Sequence, residues 1–369
     1  MNDQTLKNRL RQIRDGVSRL KLDCLIVAKP PNVTYLTGFT GDDSWVIVLP
    51  ASPDERTSRG GPKGVILVTD SRFTEQAAAQ CRLCRIVSRR DAMIKTVARL
   101  LQKQGGKTLA VEKSMSVADF QELNKQLKGR LKSISLIVES ARREKDQGEV
   151  AAISAAAEIA ARAFQQTRRL IRPGLSENEL AGIVDFQIRK LGGKNSFETI
   201  VAFGANASIP HHQPTNRKLS KNDTVLIDFG VRYNGYCCDL TRCFETGRPV
   251  PFFRKVYSVV EQAQAAALKI IRADAKIIAV DAAAKRVIKK SGLPVYGHGT
   301  GHGLGLEVHE LPIVSNRTKG ALQTGDVITV EPAVYIPGKL GVRIEDDVLV
   351  TDDGYLALSD GPKLPKSRS

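Results

Sequence analysis

The sequence predicts an α+β protein of two domains, a smaller α/β layer over residues 1–140 followed by a larger mixed domain over 141–369. Three observations carry that prediction. A chain of 369 residues is too long for one ordinary hydrophobic core. Its first 140 residues alternate short β-branched runs with helical stretches, the pattern of an α/β layer. All five histidines fall between positions 211 and 309, so the chemistry is concentrated in the second part. An apolar content of 42% with 26% charged residues is that of a globular chain.

In the first domain, Asp23 to Val27, Trp45 to Leu49, Val65 to Thr69 and Ile134 to Val138 read as strands. Leu6 to Leu20, Ser71 to Ala79, Ala92 to Gln102 and Val117 to Leu127 carry helical periodicity. Residues 51–63, rich in Pro, Gly and charge, read as a surface loop. Beyond the charged segment Arg142 to Glu149, an Ala-rich stretch opens one long helix that closes before Pro173-Gly174. Ser176 with Glu179 three residues later forms a capping box for the next helix. Two strand-rich regions, 224–245 and 327–350, are separated by helices over 250–273 and 277–290. The polar tail Pro362 to Ser369 reads as frayed.

The formal net charge of +17 is spread over both halves: residues 1–150 carry 27 basic and 17 acidic side chains, the remainder 29 and 22. No Lys/Arg run exceeds two residues and no nucleic-acid module is recognisable, which argues against nucleic acid as a partner. The polar start, Met1 to Gly16, argues against a secretory signal, and no apolar run approaches the 18 residues of a membrane span. A cytoplasmic setting is therefore expected. Six cysteines include one lone C-x-x-C, Cys81 to Cys84, read as reduced structural thiols in that compartment.

The chemistry lies in two predicted hairpins. Asn234-Gly235 is a strong two-residue turn signal between the strands Val225 to Gly230 and Cys238 to Glu245. That turn pairs Tyr233 with Tyr236 and sets Asp228 opposite Thr241, with Asp239 diagonal to Asp228 on the same face. Two aspartates in apolar strands are costly unless cations offset them. Glu331 and Glu345 flank Pro337-Gly338-Lys339. A three-residue loop there sets them opposite each other, and a two-residue loop would send them to different faces. Gly297 to Gly305 has glycine at every second position, read as close backbone approach beside a ligand. His302 and His309 are seven apart, so a straight strand would turn them to opposite faces, one toward a metal and one toward substrate. Histidine with carboxylates points to metal-dependent hydrolysis. Asp228-Phe229-Gly230 spells a kinase magnesium motif, but the other kinase loops are missing, and no G-x-S-x-G of a serine hydrolase occurs.

Taken in order, Phe197 to Val201, Ile209-Pro210-His211, Asp228-Phe229-Gly230, Asp239-Leu240-Thr241-Arg242, His298 to Gly303 and Val342 to Glu345 resemble the Xaa-Pro peptidases. These are aminopeptidase P and prolidase, of the pita-bread fold shared with methionine aminopeptidase. Asn32 to Phe39 and Val68 to Phe73 resemble the creatinase-type N-terminal domain. The resemblance implies a creatinase-like domain over 1–140 and a pita-bread metallopeptidase domain over 141–369. It implies five ligands for two divalent ions, Asp228, Asp239, His302, Glu331 and Glu345, with Asp239 and Glu345 bridging. Four carboxylates and one imidazole favour manganese, with cobalt, zinc and iron as alternatives. The ions would activate a water for attack on the scissile carbonyl, and Glu331 would accept a proton and pass it to the leaving prolyl nitrogen.

By the same resemblance His211, His298 and His309 would position the peptide and Arg343 would orient substrate; His212 receives no role. Xaa-Pro peptides are the implied substrates and a homodimer the implied assembly. Ile313 stands where some prolidases carry a basic residue for the dipeptide carboxylate, which weakens a strict dipeptidase assignment and leaves room for longer Xaa-Pro-Xaa substrates; the compact N-terminal domain, conversely, is the size of shorter prolidase-like members, and a dipeptidase stays as the alternative. The full ligand set argues against a creatinase-like hydrolase of an amidino compound and against a non-catalytic protein that binds nucleic acid through its basic surface. The domain before residue 141 argues against methionine aminopeptidase.

Overall fold

A computed structural model of the chain describes residues 3–51 and 64–359, and these fall into two compact units, Met1–Arg142 and Arg143–Ser369. Most of the predicted loop 51–63 and the tail 362–369 lie outside the described residues. None of the described helices is long and apolar enough to cross a membrane.

The first unit is built on one six-stranded sheet. Its strands are β1 (Cys24–Val27), β2 (Ser44–Val48), β3 (Val65–Thr69), β4 (Arg85–Ser88), β5 (Leu109–Glu112) and β6 (Leu131–Ile134), in the order β4-β3-β2-β1-β5-β6. β1, β2 and β3 pair antiparallel, whereas β4, β5 and β6 join parallel to their neighbours. The helices are α1 (Asp3–Arg19), α2 (Pro30–Thr37), α3 (Thr74–Gln80), α4 (Met93–Gln104), α5 (Val117–Gln126) and α6 (Ile137–Ala141). One core joins Ile26, Ile47, Val68, Val97, Leu101, Val111 and Leu123, bringing the sheet against α4 and α5.

The last predicted strand is misplaced. Leu131–Ile134 is the strand, and Ile137–Ala141 is helical, because Leu136 takes a left-handed φ of 62° and turns the chain out of the sheet. Val138, read as the end of a strand, is instead buried on that short helix.

The second unit opens with α7 (Gln147–Arg168) and α8 (Glu177–Lys190). Both begin with a reciprocal capping box, Asp146 with Glu149 and Ser176 with Glu179. Five short strands follow: β7 (Lys194–Asn195), β8 (Ile200–Phe203), β9 (Thr224–Phe229), β10 (Val231–Tyr233) and β11 (Tyr236–Cys237). β12 (Leu240–Glu245), α9 (Pro251–Leu268) and α10 (Ile277–Lys290) come next, so the helix read over 250–273 ends five residues early. The chain closes with β13 (Gly301–Gly303), β14 (Glu310–Val314), β15 (Val327–Val330), β16 (Ala333–Ile336), β17 (Leu340–Arg343), β18 (Asp346–Val350) and β19 (Tyr355–Ala357).

These strands form antiparallel sheets in the orders β11-β10-β7, β12-β9-β8, β14-β13-β15-β18-β19 and β16-β17. One core cluster joins Phe253, Val260, Val280 and Ile288 of α9 and α10 to Ile328, Val330, Val334 and Val342 of the strands. A second joins Ala160, Phe164, Leu180 and Val184 of α7 and α8 to Ile227, Phe229 and Leu240. β9, β12 and β17 also carry polar residues, among them Asp228, Thr241 and Arg343, beside these cores.

Candidate active site

Asn234 and Gly235 both take positive φ, 49° and 87°, the geometry a two-residue primed turn requires. The turn sets Tyr233 opposite Tyr236 and Asp228 opposite Thr241, as the sequence predicts. In the second hairpin Ile336 pairs with Leu340, so Pro337-Gly338-Lys339 is a three-residue loop. Ala333 lies opposite Arg343, and the same register continued two residues brings Glu331 across from Glu345. Of the two registers open in the sequence, the structure takes the one that keeps both glutamates on one face.

The ligating atoms of Asp239, His302 and Glu345 lie within 4.8 Å of one another. His302 Nε2 is 3.8 Å from Asp239 Oδ2 and 3.5 Å from a Glu331 carboxylate oxygen. Asp228 stands differently: its Oδ2 accepts from Arg343 Nη2 at 2.5 Å, while its Oδ1 is buried with no hydrogen-bond partner. Asp239 Oδ1 is likewise buried and unpartnered. Buried carboxylate oxygens are nearly always satisfied, so two orphans beside an imidazole fit a site built for cations.

The electrostatics agree. Burial, and after it the charge of Glu345, pushes the Asp239 carboxyl far above its usual range; burial and the Glu331 charge do the same to Glu345. Glu331 is pushed up to about 7 by burial, with Arg343 pulling it back and Asp228 pushing it further. Burial drives His302 and His298 down to about 4, so both imidazoles are neutral near pH 7. Neutral imidazole is the form that binds a metal.

The other predicted residues surround this cluster. His298 Nδ1 is 3.9 Å from Glu331 Oε2, and its Nε2 is 3.3 Å from the Tyr335 hydroxyl. The His309 ring packs edge-on against His302, with centroids 4.3 Å apart. The two histidines therefore share a locality instead of facing opposite ways. The reason is that no straight strand joins them: the pairing of β13 with β14 shifts between His302 and Gly303, and residues 304–309 loop out between the strands. His211 is exposed, and its charge contributes to holding His298 and His309 below the usual histidine range, after burial.

The glycine-rich run makes the close backbone approach expected of it, toward neighbouring strands. At Gly301 a Cβ would run into the Thr329 carbonyl of β15, and at Gly303 into the Leu311 carbonyl of β14. Neighbouring backbone excludes side chains at both positions. Gly301→Ala is expected to destabilise the protein by about 2–4 kcal/mol, read as a lower urea midpoint with an unchanged slope; an unchanged midpoint would refute the packing argument.

Several participants escape a reading of the sequence. Tyr335 donates or accepts at two places, with its oxygen 2.6 Å from Arg343 Nη1. Its signal was available: in the three-residue register it shares a face with Arg343, two residues along the hairpin. Thr241 Oγ1 donates to Glu345 at 2.5 Å and accepts from Arg343 Nε at 3.1 Å. Arg242, opposite in direction and fully buried, pairs with Asp346 at 2.6 Å and donates to the Glu345 carbonyl. His212 turns away from His211 to meet buried Glu177 at 2.9 Å; the same carboxylate accepts from Phe203 N, Asn206 and Thr215 and so ties down the segment carrying His211.

Comparison with known proteins follows this division. Residues 151–352 match the model of metallopeptidase family M24, and residues 9–143 that of the Creatinase/Prolidase N-terminal domain. The chain is 34% identical over 359 residues to an uncharacterized peptidase of Bacillus subtilis, covering 96% of this chain and 98% of that one. It is 33% identical over 367 residues to a putative Xaa-Pro aminopeptidase of Mycoplasma pneumoniae, covering 98% and 99%. Among solved structures, the Xaa-Pro dipeptidase from Bacillus anthracis superposes with a TM-score of 0.90 at 31% identity, covering 97% of this chain and 98% of that one.

Proposed function

We propose, given that the chain belongs to metallopeptidase family M24 and to its Xaa-Pro peptidase/prolidase group, that it removes the N-terminal residue from Xaa-Pro-Xaa peptides. The observation that carries the reading is the convergence of Asp239, His302 and Glu345 beside two unpartnered buried aspartate oxygens. Asp228, Asp239, His302, Glu331 and Glu345 would hold two divalent ions, manganese first by the hardness of the donor set, with cobalt, zinc or iron as alternatives. When bound, the ions would supply Lewis acidity and an activated water.

The side chains supply the rest. Glu331, whose carboxyl burial raises in the metal-free chain, would accept a proton from the nucleophile and return it to the leaving prolyl nitrogen. His298 and His309 stand beside the cluster to hold the peptide, and His211, whose charge acts on both, would join them. Arg343, fixed by Asp228, Thr241 and Tyr335, orients substrate. A prolyl amide has no N–H, so nothing is lost if the site offers no acceptor for one.

Aminopeptidase is favoured over dipeptidase by Ile313. It pairs with His302 across β13 and β14, so its side chain shares that face, and it is exposed. An alkyl side chain offers no charge for the free carboxylate of a dipeptide. The manganese-loaded protein is expected to cleave an Xaa-Pro-Xaa tripeptide at least tenfold faster than the matching Xaa-Pro dipeptide. Ile313→Arg is expected to narrow that ratio by raising dipeptide turnover. Dipeptide-only cleavage by the parent protein would make it a prolidase, and no cleavage of either, with metal bound, would refute the reading. A cytoplasmic homodimer completes the proposal, and light scattering coupled to gel filtration tests the assembly.

A further inference from the structure

Helix α10 presents Asp281 and Lys285 one turn apart, the spacing at which an acid and a base face each other. They pair at 3.0 Å, and Asp281 is 1% exposed. A buried pair of this kind seldom adds net stability over an apolar replacement, so its other contacts decide what it does. Asp281 Oδ1 accepts from both the backbone N–H and the hydroxyl of Thr300, at 3.1 and 2.9 Å. Lys285 Nζ donates to the carbonyl of His298 at 2.9 Å. The pair thus grips both ends of His298-Gly299-Thr300, whose Thr300 N–H is shared with the Val314 carbonyl at 2.7 Å.

That segment touches the proposed chemistry twice. His298 carries its ring to the cluster, and the ring is tied to its own backbone by an Nδ1 contact to the Gly299 carbonyl at 2.7 Å. The Thr300 carbonyl accepts from the backbone N–H of Glu331 at 2.8 Å. The Thr300 hydroxyl also meets Tyr296, whose ring stacks 4.7 Å from that of His298. From Asp281 to Glu331 the path is therefore two hydrogen bonds through one residue.

We infer that Asp281 and Lys285 are positioning residues that set the His298 ring and the Glu331 carboxylate in one fixed relation, an inference that rests on the peptidase reading above. The plain alternative is that the pair only docks α10 onto the sheet. The two differ in what moves when the pair is removed without leaving a buried charge. The double variant Asp281→Asn/Lys285→Met does this, replacing both ions by neutral groups of similar size. It is expected to lower kcat 10- to 100-fold, the range for partners one layer behind a metal site, with KM within about threefold. Lys285→Arg, which keeps a donor toward Asp281 and His298, is expected to stay within threefold of the parent in kcat.

The His298 ring resonance, assigned with His298→Ala in a proton–carbon correlation spectrum of the protein loaded with diamagnetic zinc, gives a readout independent of peptide cleavage. It is expected to shift and broaden in the double variant and to return in Lys285→Arg. A double variant with kcat within twofold of the parent overturns the inference. So does an unmoved His298 resonance, and that resonance decides the matter even if the parent protein cleaves no Xaa-Pro peptide, a result that would refute the peptidase reading separately.

Discussion

Glu331→Gln is expected to lower kcat about 1,000-fold while leaving manganese bound. The amide keeps an oxygen where the carboxylate had one, so the ligand set is nearly preserved, but it can neither take up nor release a proton. General acid–base groups contribute about 10²–10⁴-fold, most when their pKa lies near the working pH. Burial raises the Glu331 carboxyl to about 7 in the metal-free chain, and its carboxylate stands within 4 Å of both His302 and His298, inside the cluster where the proton must move. Metal content by mass spectrometry and kcat on the tripeptide should be measured on the same sample. A metal-replete Glu331→Gln protein that keeps more than a tenth of the parent kcat would remove Glu331 from the proton path.

Metal removal is expected to leave a protein whose stability falls as pH rises above about 6.5. Glu331, Asp239 and Glu345 all have raised carboxyl values in the folded chain. There they keep protons that the unfolded chain has lost, so each destabilises the fold as pH climbs through its window. His298 and His302, lowered to about 4, act the other way: the unfolded chain binds protons the folded one excludes, so stability rises from about pH 4 to 6.5. The two trends oppose each other up to about 6.5. Above it the histidines no longer contribute and the raised carboxyls alone lower stability, Glu331 up to about pH 7 and Asp239 and Glu345 beyond it. Bound cations remove the penalty and add their own linkage. Thermal melts at pH 5.5, 6.5 and 8, with chelator and with manganese, should show a metal-dependent rise in Tm that widens with pH. A chelated protein that is as stable at pH 8 as at 6.5 would contradict the account.

How far the sequence could be read depended on what fixes each element. The hairpin through Asn234-Gly235 was legible because that dipeptide dictates both the turn and the register. The second hairpin was legible only as a choice between loop lengths, because Pro337-Gly338-Lys339 does not dictate one. His302 and His309 misled because spacing along a chain says nothing once a loop intervenes. β5 was missed because Leu109 to Glu112 is four buried residues between parallel neighbours, too short to show a period. The helix Pro30–Thr37 hides behind two prolines that read as breakers yet are tolerated in a first turn. Asp281 and Lys285 belong to an ordinary amphipathic helix, and their contacts 13 to 19 residues away arise only from tertiary packing.

Surface turns are usually where a chain absorbs insertions and deletions without harm. Asn234-Gly235 and Pro337-Gly338-Lys339 are exceptions, although neither contributes a side chain to the cluster. Each works as a ruler: the number of residues in the turn decides which face of the strand an acid 4 to 6 positions beyond it will occupy. One residue gained or lost at the tip would turn Asp239 or Glu345 out of the site while leaving the hydrophobic content of the sequence almost unchanged. Length at these two tips is therefore a property under functional constraint, and the turns are poor places to splice in a tag or a foreign loop.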